Sequence, residues 1–111
     1  MEDCIFCKIA AGKLQAKFAY QGKEVVAFED IHKVAEIHIL IAPRKHIKSF
    51  LNIKSTHLQI LLEMVKVAQE LVLKLKLDSG KYRLVFNGGE VQKIPHLHWH
   101  LLGGNLTGFP E

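Results

Sequence analysis

The sequence lacks long apolar runs, because Lys, Glu or Gln interrupts its apolar stretches every few residues. A membrane-spanning helix needs about 20 predominantly apolar residues, so we expect no such helix and no membrane partner. The stretch MEDCIFCKIAAGK begins with acidic residues and has too few apolar residues for a secretory signal peptide. These absences disfavour the membrane and secreted classes, and the expected location is the cytoplasm.

Linkers, internal repeats and low-complexity segments are also missing, which predicts a single domain over residues 1–111. The formal net charge of +4 comes from scattered lysines, and no basic run is interleaved with aromatic residues. We therefore expect no sequence-specific nucleic-acid binding, whereas a mild positive charge suits small anions such as nucleotides.

Cysteine is scarce, and both copies, Cys4 and Cys7, form one Cys-x-x-Cys pair. In a cytosolic chain such a pair indicates metal binding or redox chemistry more often than a structural disulfide. A thioredoxin-type redox pair follows a strand and opens a long helix, whereas this pair stands almost at the first residue. The position favours metal binding.

The apolar patterns predict an α+β fold with about five strands, one long helix and one or two short helices. CIFCKIAAG indicates a short helix that stops at Gly12, and KFAYQGKEVVAFED indicates a hairpin in which Gly22 is available for positive φ. EIHILIAP, YRLVFN and PHLHWHLL are the other predicted strands. Because only one helix crosses between strands, the sheet is expected to be mainly antiparallel.

The long helix is predicted within NIKSTHLQILLEMVKVAQELVLKLKLDSG, where Thr56 and Gln59 have capping-box spacing. Its apolar residues cover a wider face of the helix than packing against one sheet would bury. A sheet with open edges is often closed by dimerisation, so we expect a homodimer that extends the sheet.

Three of the seven histidines, His96, His98 and His100, stand at alternate positions in PHLHWHLLGG. In a strand they share one face, while Leu97 and Trp99 point to the core. Three imidazoles packed merely as core would each need hydrogen-bond partners, so a chemical role is favoured.

Spacing alone leaves two chemical interpretations open. A His-x-His pair can hold a catalytic zinc with water at its open position. Alternatively one imidazole is a nucleophile towards phosphorus and its neighbours orient it and assist the leaving group. The upstream FNGGE stretch offers backbone N–H groups and an Asn amide for phosphate oxygens, and Asp30 offers a carboxylate for ribose hydroxyls.

HLHWHLL has the form His-φ-His-φ-His-φ-φ, with φ apolar, which resembles the signature of the histidine-triad (HIT) nucleotide hydrolases and transferases. CIFCKI, VVAFEDI, HILIAPRKHI and YRLVFNGGE follow that family's order, so the resemblance covers nearly the whole chain. The short nucleoside phosphoramidase branch is the most similar.

The resemblance implies a hydrolase of purine nucleoside phosphoramidates, such as AMP-linked amines, with a covalent nucleotidyl intermediate on His98. It implies that His100 contacts the phosphate and helps the leaving group, with His38 beside the triad. The implied substrate-binding residues are Asp30 at the ribose, Asn87 at the phosphate, and Ile5, Phe6, Phe28, Ile31 and Leu40 around the base and sugar.

Family members with an N-terminal Cys-x-x-Cys bind one structural zinc, which implies that Cys4, Cys7, His46 and His96 are its ligands here. Catalysis by the histidines then needs no metal. His32 and His57 match no family position and are expected to face solvent. This chain departs from the family before the triad, in VQKIPH, where Lys93 replaces a hydroxyl residue. Gln92 and Lys93 are further candidate substrate-binding residues, with the Lys93 charge directed at a phosphate or a departing group.

Three alternatives stay open at this point. The chain could hydrolyse dinucleoside polyphosphates or transfer a nucleotidyl group. It could be a nucleotide-binding regulatory module with weak catalysis. It could also be an open-zinc hydrolase, which the four closed-site ligands disfavour.

Overall fold

The computed structural model describes residues 3–111. The helices are α1 (Ile5–Ala10) and α2 (Leu58–Lys74), and the strands are β1 (Phe18–Gln21), β2 (Val25–Glu29), β3 (Ala35–Pro43), β4 (Tyr82–Val85) and β5 (Trp99–Leu106). Short 3-10 turns cover Phe50–Asn52, Ser55–His57 and Gly89–Val91. Within residues 3–111 there is no helix of the length and apolar character that a membrane span requires.

The five strands form one antiparallel sheet in the order β1-β2-β3-β5-β4. The α+β prediction with one long helix is therefore confirmed. β3 and β5 lie at the centre, where Leu40 is paired with His100 and His38 with Leu102. Residues paired across strands share a face, so the centre of the sheet brings His38 and His100 to one side.

Alternation along the strands divides the core into two clusters. Val25 and Ala27 belong to the cluster under α2, while Val26 and Phe28 belong to the cluster beside α1. Helix α2 covers the first face with six buried side chains: Ile60, Met64, Val67, Ala68, Leu71 and Val72. The second face is covered only in part by α1, and this leaves room for a site.

The predicted hairpin forms between β1 and β2, although Gly22 does not have positive φ. A Cβ at Gly22 would instead collide with the Tyr20 ring, 2.6 Å away, and with the Glu63 carboxylate. The positive φ available to Gly22 is therefore not used, and the close approach of these two side chains is what a larger residue would disturb.

The start of α2 and the environment of His57 also differ from expectation. The helix begins at Leu58, and Thr56 lies in the preceding 3-10 turn instead of capping it. His57 is buried, and its Nδ1 accepts a hydrogen bond from the Lys54 backbone N–H at 3.0 Å. The prediction that His57 faces solvent is therefore wrong, whereas His32 is exposed as expected.

Candidate active site and metal-ligand cluster

A cavity of about 760 Å³ opens on the face of the sheet beside α1. His98 and His100 line its floor, and Asp30 and Lys93 also line it. The five predicted base and sugar residues are all among its lining residues: Ile5, Phe6, Phe28, Ile31 and Leu40. The size suits a small ligand, for which pockets of about 300–1,000 Å³ are typical.

His98 is held in one tautomer by its backbone neighbour. Its Nδ1 lies 2.7 Å from the His96 carbonyl oxygen, so Nδ1 carries the proton and donates it. The lone pair is therefore on Nε2. Burial lowers the pKa of His98, which keeps the ring neutral at pH 7 although the hydrogen bond to the His96 carbonyl acts in the opposite direction.

His38 and His100 form a second ordered pair. The Val34 backbone N–H donates to His38 Nδ1 at 3.1 Å, so the single proton of a neutral His38 is on Nε2. That N–H faces His100 Nδ1 at 2.9 Å and the Asp30 carboxylate at 3.2 Å. Burial lowers the pKa of His38 as well.

The tautomer of His100 follows from that of His38. With Nδ1 accepting, a neutral His100 carries its proton on Nε2, which is buried and has no hydrogen-bond partner in the described part of the chain. Burial first, and then His98 and His38, lower the pKa of His100 to about 3. The His100 ring thus offers the cavity a neutral N–H donor next to His98. The centroids of the two rings are 4.9 Å apart.

Two predicted contact residues do not line the cavity. The Asn87 amide donates to the Pro110 carbonyl oxygen at 2.9 Å. The Gln92 amide donates to the carbonyl oxygens of Lys48 and Ile94 at 2.8 and 3.0 Å. Gln92 therefore fixes the backbone next to Lys93 in this conformation, and the substrate-contact roles of Asn87 and Gln92 stay predictions.

Sequence reasoning missed the contribution of the C-terminal residues to this site. Phe109 and Glu111 line the cavity together with Ile94. Phe109 is 91% exposed, which is unusual for an aromatic ring beside a cavity. No motif marks these residues, because their position depends on how the segment after β5 folds back over the sheet.

The metal-ligand cluster lies beside this cavity. Cys4, Cys7, His46 and His96 place their ligand atoms within 4.8 Å of one another. Cys4 Sγ lies 3.2 Å from His96 Nδ1, and Cys7 Sγ lies 3.4 Å from His46 Nδ1 and 3.5 Å from His96 Nδ1. A tetrahedral zinc with bonds of about 2.0–2.3 Å separates its ligand atoms by about 3.3–3.8 Å, so the four residues fit a metal ion of this kind.

The surroundings of the cluster also favour ligation. His96 Nε2 lies 2.8 Å from the Pro43 carbonyl oxygen, so Nε2 donates and Nδ1 presents its lone pair to the sulfur atoms. Burial lowers the pKa of His96 to about 4, which keeps it neutral and able to ligate. Burial, followed by hydrogen bonding with Cys4, raises the pKa of Cys7 to about 11, so metal binding must displace its proton.

Comparisons with known proteins agree with this geometry. The family model "Scavenger mRNA decapping enzyme C-term binding" matches residues 3–108. A HIT family hydrolase from Clostridium thermocellum superposes with a TM-score of 0.90 at 37% identity, over 99% of this chain and 97% of that one. The chain belongs to the HIT family.

Two curated relatives are similar over most of their length. A HIT-like protein of Buchnera aphidicola subsp. Baizongia pistaciae is 43% identical over 90% of this chain and 91% of its own. The purine nucleoside phosphoramidase of Escherichia coli K12 is 36% identical over 96% of this chain and 92% of its own.

Proposed function

We propose that this protein hydrolyses purine nucleoside phosphoramidates through a covalent nucleotidyl intermediate on His98. The single observation that carries the proposal is the hydrogen bond from His98 Nδ1 to the His96 carbonyl, since a proton on Nδ1 puts the lone pair of this cavity-lining residue on Nε2. The similarity to the Escherichia coli phosphoramidase supports the substrate class.

The reaction takes two displacements. His98 Nε2 attacks the α-phosphorus, a P–N bond to His98 forms, and the P–N bond to the amine breaks. The amine departs with a proton from solvent water, and the water that attacks in the second displacement returns that proton to the solvent. The positive charge on the modified imidazole is stabilised by the His96 carbonyl. Water then attacks phosphorus, the bond to His98 breaks, and the nucleoside monophosphate is released.

The other residues supply binding and charge stabilisation. The His100 Nε2–H is a neutral donor for a phosphate oxygen, and His38 holds His100 in the tautomer that provides it. Asp30 lines the cavity and offers its carboxylate to ribose hydroxyls. Phe6, Phe28 and Leu40 give the base an apolar wall.

The test is a quenched reaction with an AMP-linked amine followed by mass analysis of the protein. We expect an added nucleotidyl group on His98 and a loss of turnover of at least 10³-fold in His98→Ala. His32→Ala is the matched control, since His32 is exposed at the same cavity, and it should retain activity. Turnover that survives His98→Ala would contradict the covalent mechanism.

Lys93 supports a second candidate, cleavage of dinucleoside polyphosphates or nucleotidyl transfer. Its side chain lines the cavity with His98 and His100. A cation there stabilises an anionic leaving group such as a phosphate, whereas a departing amine needs a proton. Comparing AMP-linked amines with dinucleoside polyphosphates as substrates distinguishes the two candidates.

We also propose that the cluster of Cys4, Cys7, His46 and His96 binds one structural zinc. Two thiolates and two imidazoles are ligands that zinc prefers, and four protein ligands leave no open position for substrate. Both cysteines must stay reduced to ligate, which fits the cytoplasm. Metal analysis of the purified protein should find about one zinc per chain, and Cys7→Ser should lose it.

A homodimer is proposed from the exposed apolar surface of α2 and β4. Leu62, Val65 and Leu73 are exposed on α2, and Tyr82 and Leu84 are exposed on β4, an edge strand. A second copy would cover these side chains and pair with the free edge.

The oligomeric state tests this surface. Val65→Glu should convert a dimer into a monomer in light scattering. Leu14→Glu, at an equally exposed residue on the cavity side, should leave the dimer intact. A wild-type monomer at micromolar concentration would refute the proposal.

A further inference from the structure

We propose that Asp30, in addition to binding the ribose, is a positioning residue for the phosphate donor His100 and acts on it through His38. Ribose hydroxyls that donate to Asp30 release the His38 N–H to His100, and this strengthens the donor that faces the phosphate. The role rests on the proposed function, and it makes the chemical step, in addition to binding, selective for ribonucleotides.

Three polar side chains meet at the floor of the cavity. His38 Nε2 lies 2.9 Å from His100 Nδ1 and 3.2 Å from Asp30 Oδ2. Asp30 and His100 line the cavity, whereas His38 does not, and the His38 side chain is fully buried. His38 therefore connects a residue that can reach the ribose with a residue that can reach the phosphate.

His38 has a single N–H for these two acceptors. The Val34 backbone N–H donates to His38 Nδ1 at 3.1 Å, so the proton of the neutral ring is on Nε2. The N–H is shared between His100 Nδ1 and the Asp30 carboxylate, and an ionised carboxylate is the stronger acceptor. Without nucleotide, Asp30 therefore competes with His100 for this hydrogen bond.

The turn between β2 and β3 holds the Asp30 carboxylate in this orientation. Asp30 Oδ1 accepts from the His32 backbone N–H at 2.8 Å, and the Asp30 backbone N–H donates to the His38 carbonyl oxygen at 3.0 Å. These two bonds direct Oδ2 to His38 Nε2. The Asp30 side chain is 16% exposed, so a ligand in the cavity can still reach the carboxylate.

Ribose hydroxyls change the competition for the His38 N–H. Each hydroxyl that donates to the Asp30 carboxylate occupies a lone pair and withdraws negative charge, so Asp30 becomes a weaker acceptor for His38. The His38 N–H then donates fully to His100 Nδ1. A donor at Nδ1 fixes the His100 proton on Nε2 and polarises the Nε2–H towards the phosphate.

An Asp30 that only binds the ribose predicts a different pattern. Loss of the hydroxyls, or of the carboxylate, would then weaken substrate binding and leave the reaction rate of the bound substrate unchanged. A positioning role lowers the rate of the chemical step when the hydroxyls are missing. It also makes the effect of the hydroxyls depend on the carboxylate.

Asp30→Asn separates the two cases. The amide oxygen can keep the hydrogen bond from the His32 N–H, and this places the amide NH2 group on the side of His38. An NH2 group cannot accept from the His38 N–H, so that N–H donates to His100 whether or not the substrate has hydroxyls. The variant should lose affinity for the ribose, but its chemical step should no longer need the hydroxyls.

The experiment uses the full chain, Asp30→Asn, and Glu29→Gln as the matched control, because Glu29 also lines the cavity but pairs with Lys33. Maximal single-turnover rates and half-saturating concentrations are measured with an AMP-linked amine and with its dideoxyribose analogue, which lacks both ring hydroxyls. The ¹H and ¹⁵N chemical shifts of the His38 Nε2–H are followed in saturated complexes with AMP and with dideoxy-AMP, and the signal is assigned by its loss in His38→Gln.

In wild type we expect the maximal rate to be about 3- to 10-fold lower for the dideoxyribose analogue, the effect of about one hydrogen bond. In Asp30→Asn the two maximal rates should differ less than about twofold, and the analogue should react at least as fast as it does in wild type. Glu29→Gln should keep the wild-type ratio. The His38 Nε2–H proton should resonate further downfield with AMP than with dideoxy-AMP.

Equal maximal rates for the two substrates in wild type would overturn the positioning role, and so would a wild-type ratio that persists in Asp30→Asn. If Asp30→Asn does not fold, the two nucleotide complexes of wild type decide, since an unchanged His38 N–H shift contradicts the coupling. Failure of wild type to turn over either substrate would instead refute the proposed function. The chemical shifts do not depend on turnover and would still test the coupling.

Discussion

The buried His100 ring makes the stability of the fold depend on pH. Burial, together with His98 and His38, holds its folded-state pKa at about 3, whereas an unfolded histidine titrates near 6.5. Below pH 6.5 this histidine is therefore protonated in the unfolded chain but stays neutral in the folded chain. The free energy of unfolding falls as the pH falls.

The magnitude follows from the two pKa values. At pH 5 the solution is about 1.5 pH units below the unfolded pKa of this residue. Protonation therefore stabilises the unfolded state by about 2 kcal/mol relative to pH 8. The contribution keeps growing until the pH reaches the folded pKa. His100 is 1% exposed, so solvent screening does not reduce this value appreciably.

Urea unfolding at pH 8, 6.5 and 5, followed by tryptophan fluorescence with a chelator present, measures the effect. His100→Asn keeps an acceptor and a donor at the site but cannot titrate, so its loss of stability from pH 8 to 5 should be about 2 kcal/mol smaller than that of wild type. His32→Asn, at an exposed residue, should behave like wild type. Identical pH dependence in wild type and His100→Asn would refute the reasoning.

Two further predictions concern single side chains. Lys93→Met should lower kcat/KM about 3- to 10-fold for substrates with an anionic leaving group, because one charge at the cavity is worth about 1 kcal/mol. The loss should be much smaller for an AMP-linked amine, whose leaving group is neutral. Lys45→Met, outside the cavity lining, is its control, and equal losses for both substrates would contradict leaving-group selection. Gly22→Ala should destabilise the fold by about 1–3 kcal/mol in thermal unfolding, because the new Cβ must displace the Tyr20 ring. In a Tyr20→Ala background the same Gly22→Ala change should cost less, and an unchanged melting temperature in Gly22→Ala would show that the ring moves aside without cost.

The strands and their two faces could be predicted because side chains alternate along each strand. Val25 and Val26 show this directly, since each belongs to a different core cluster. Several residues lining the cavity, such as Phe28, Asp30 and His98, were also accessible from sequence, through the resemblance of VVAFEDI and HLHWHLL to the HIT family. That information is local in sequence: the antiparallel α+β fold is confirmed, and the roles of the cavity residues stay predictions.

What could not be predicted depends on contacts between distant residues. The strand boundary at Trp99 follows from where the β3 and β5 ladder begins, and His57 is buried because a turn starting at Lys54 directs it inward. The tautomer of His100 depends on Val34, whose N–H reaches His38 Nδ1. No local pattern marks these contacts.

The Cys4–His96 contact joins two residues that are 92 positions apart in the chain. A metal bound there closes almost the entire sequence into one loop, as a disulfide between the same positions would. Restricting an unfolded chain of that length corresponds to about 4–5 kcal/mol in chain-entropy estimates for cross-links. The concentration of free metal would thus control how readily the two ends of the protein separate.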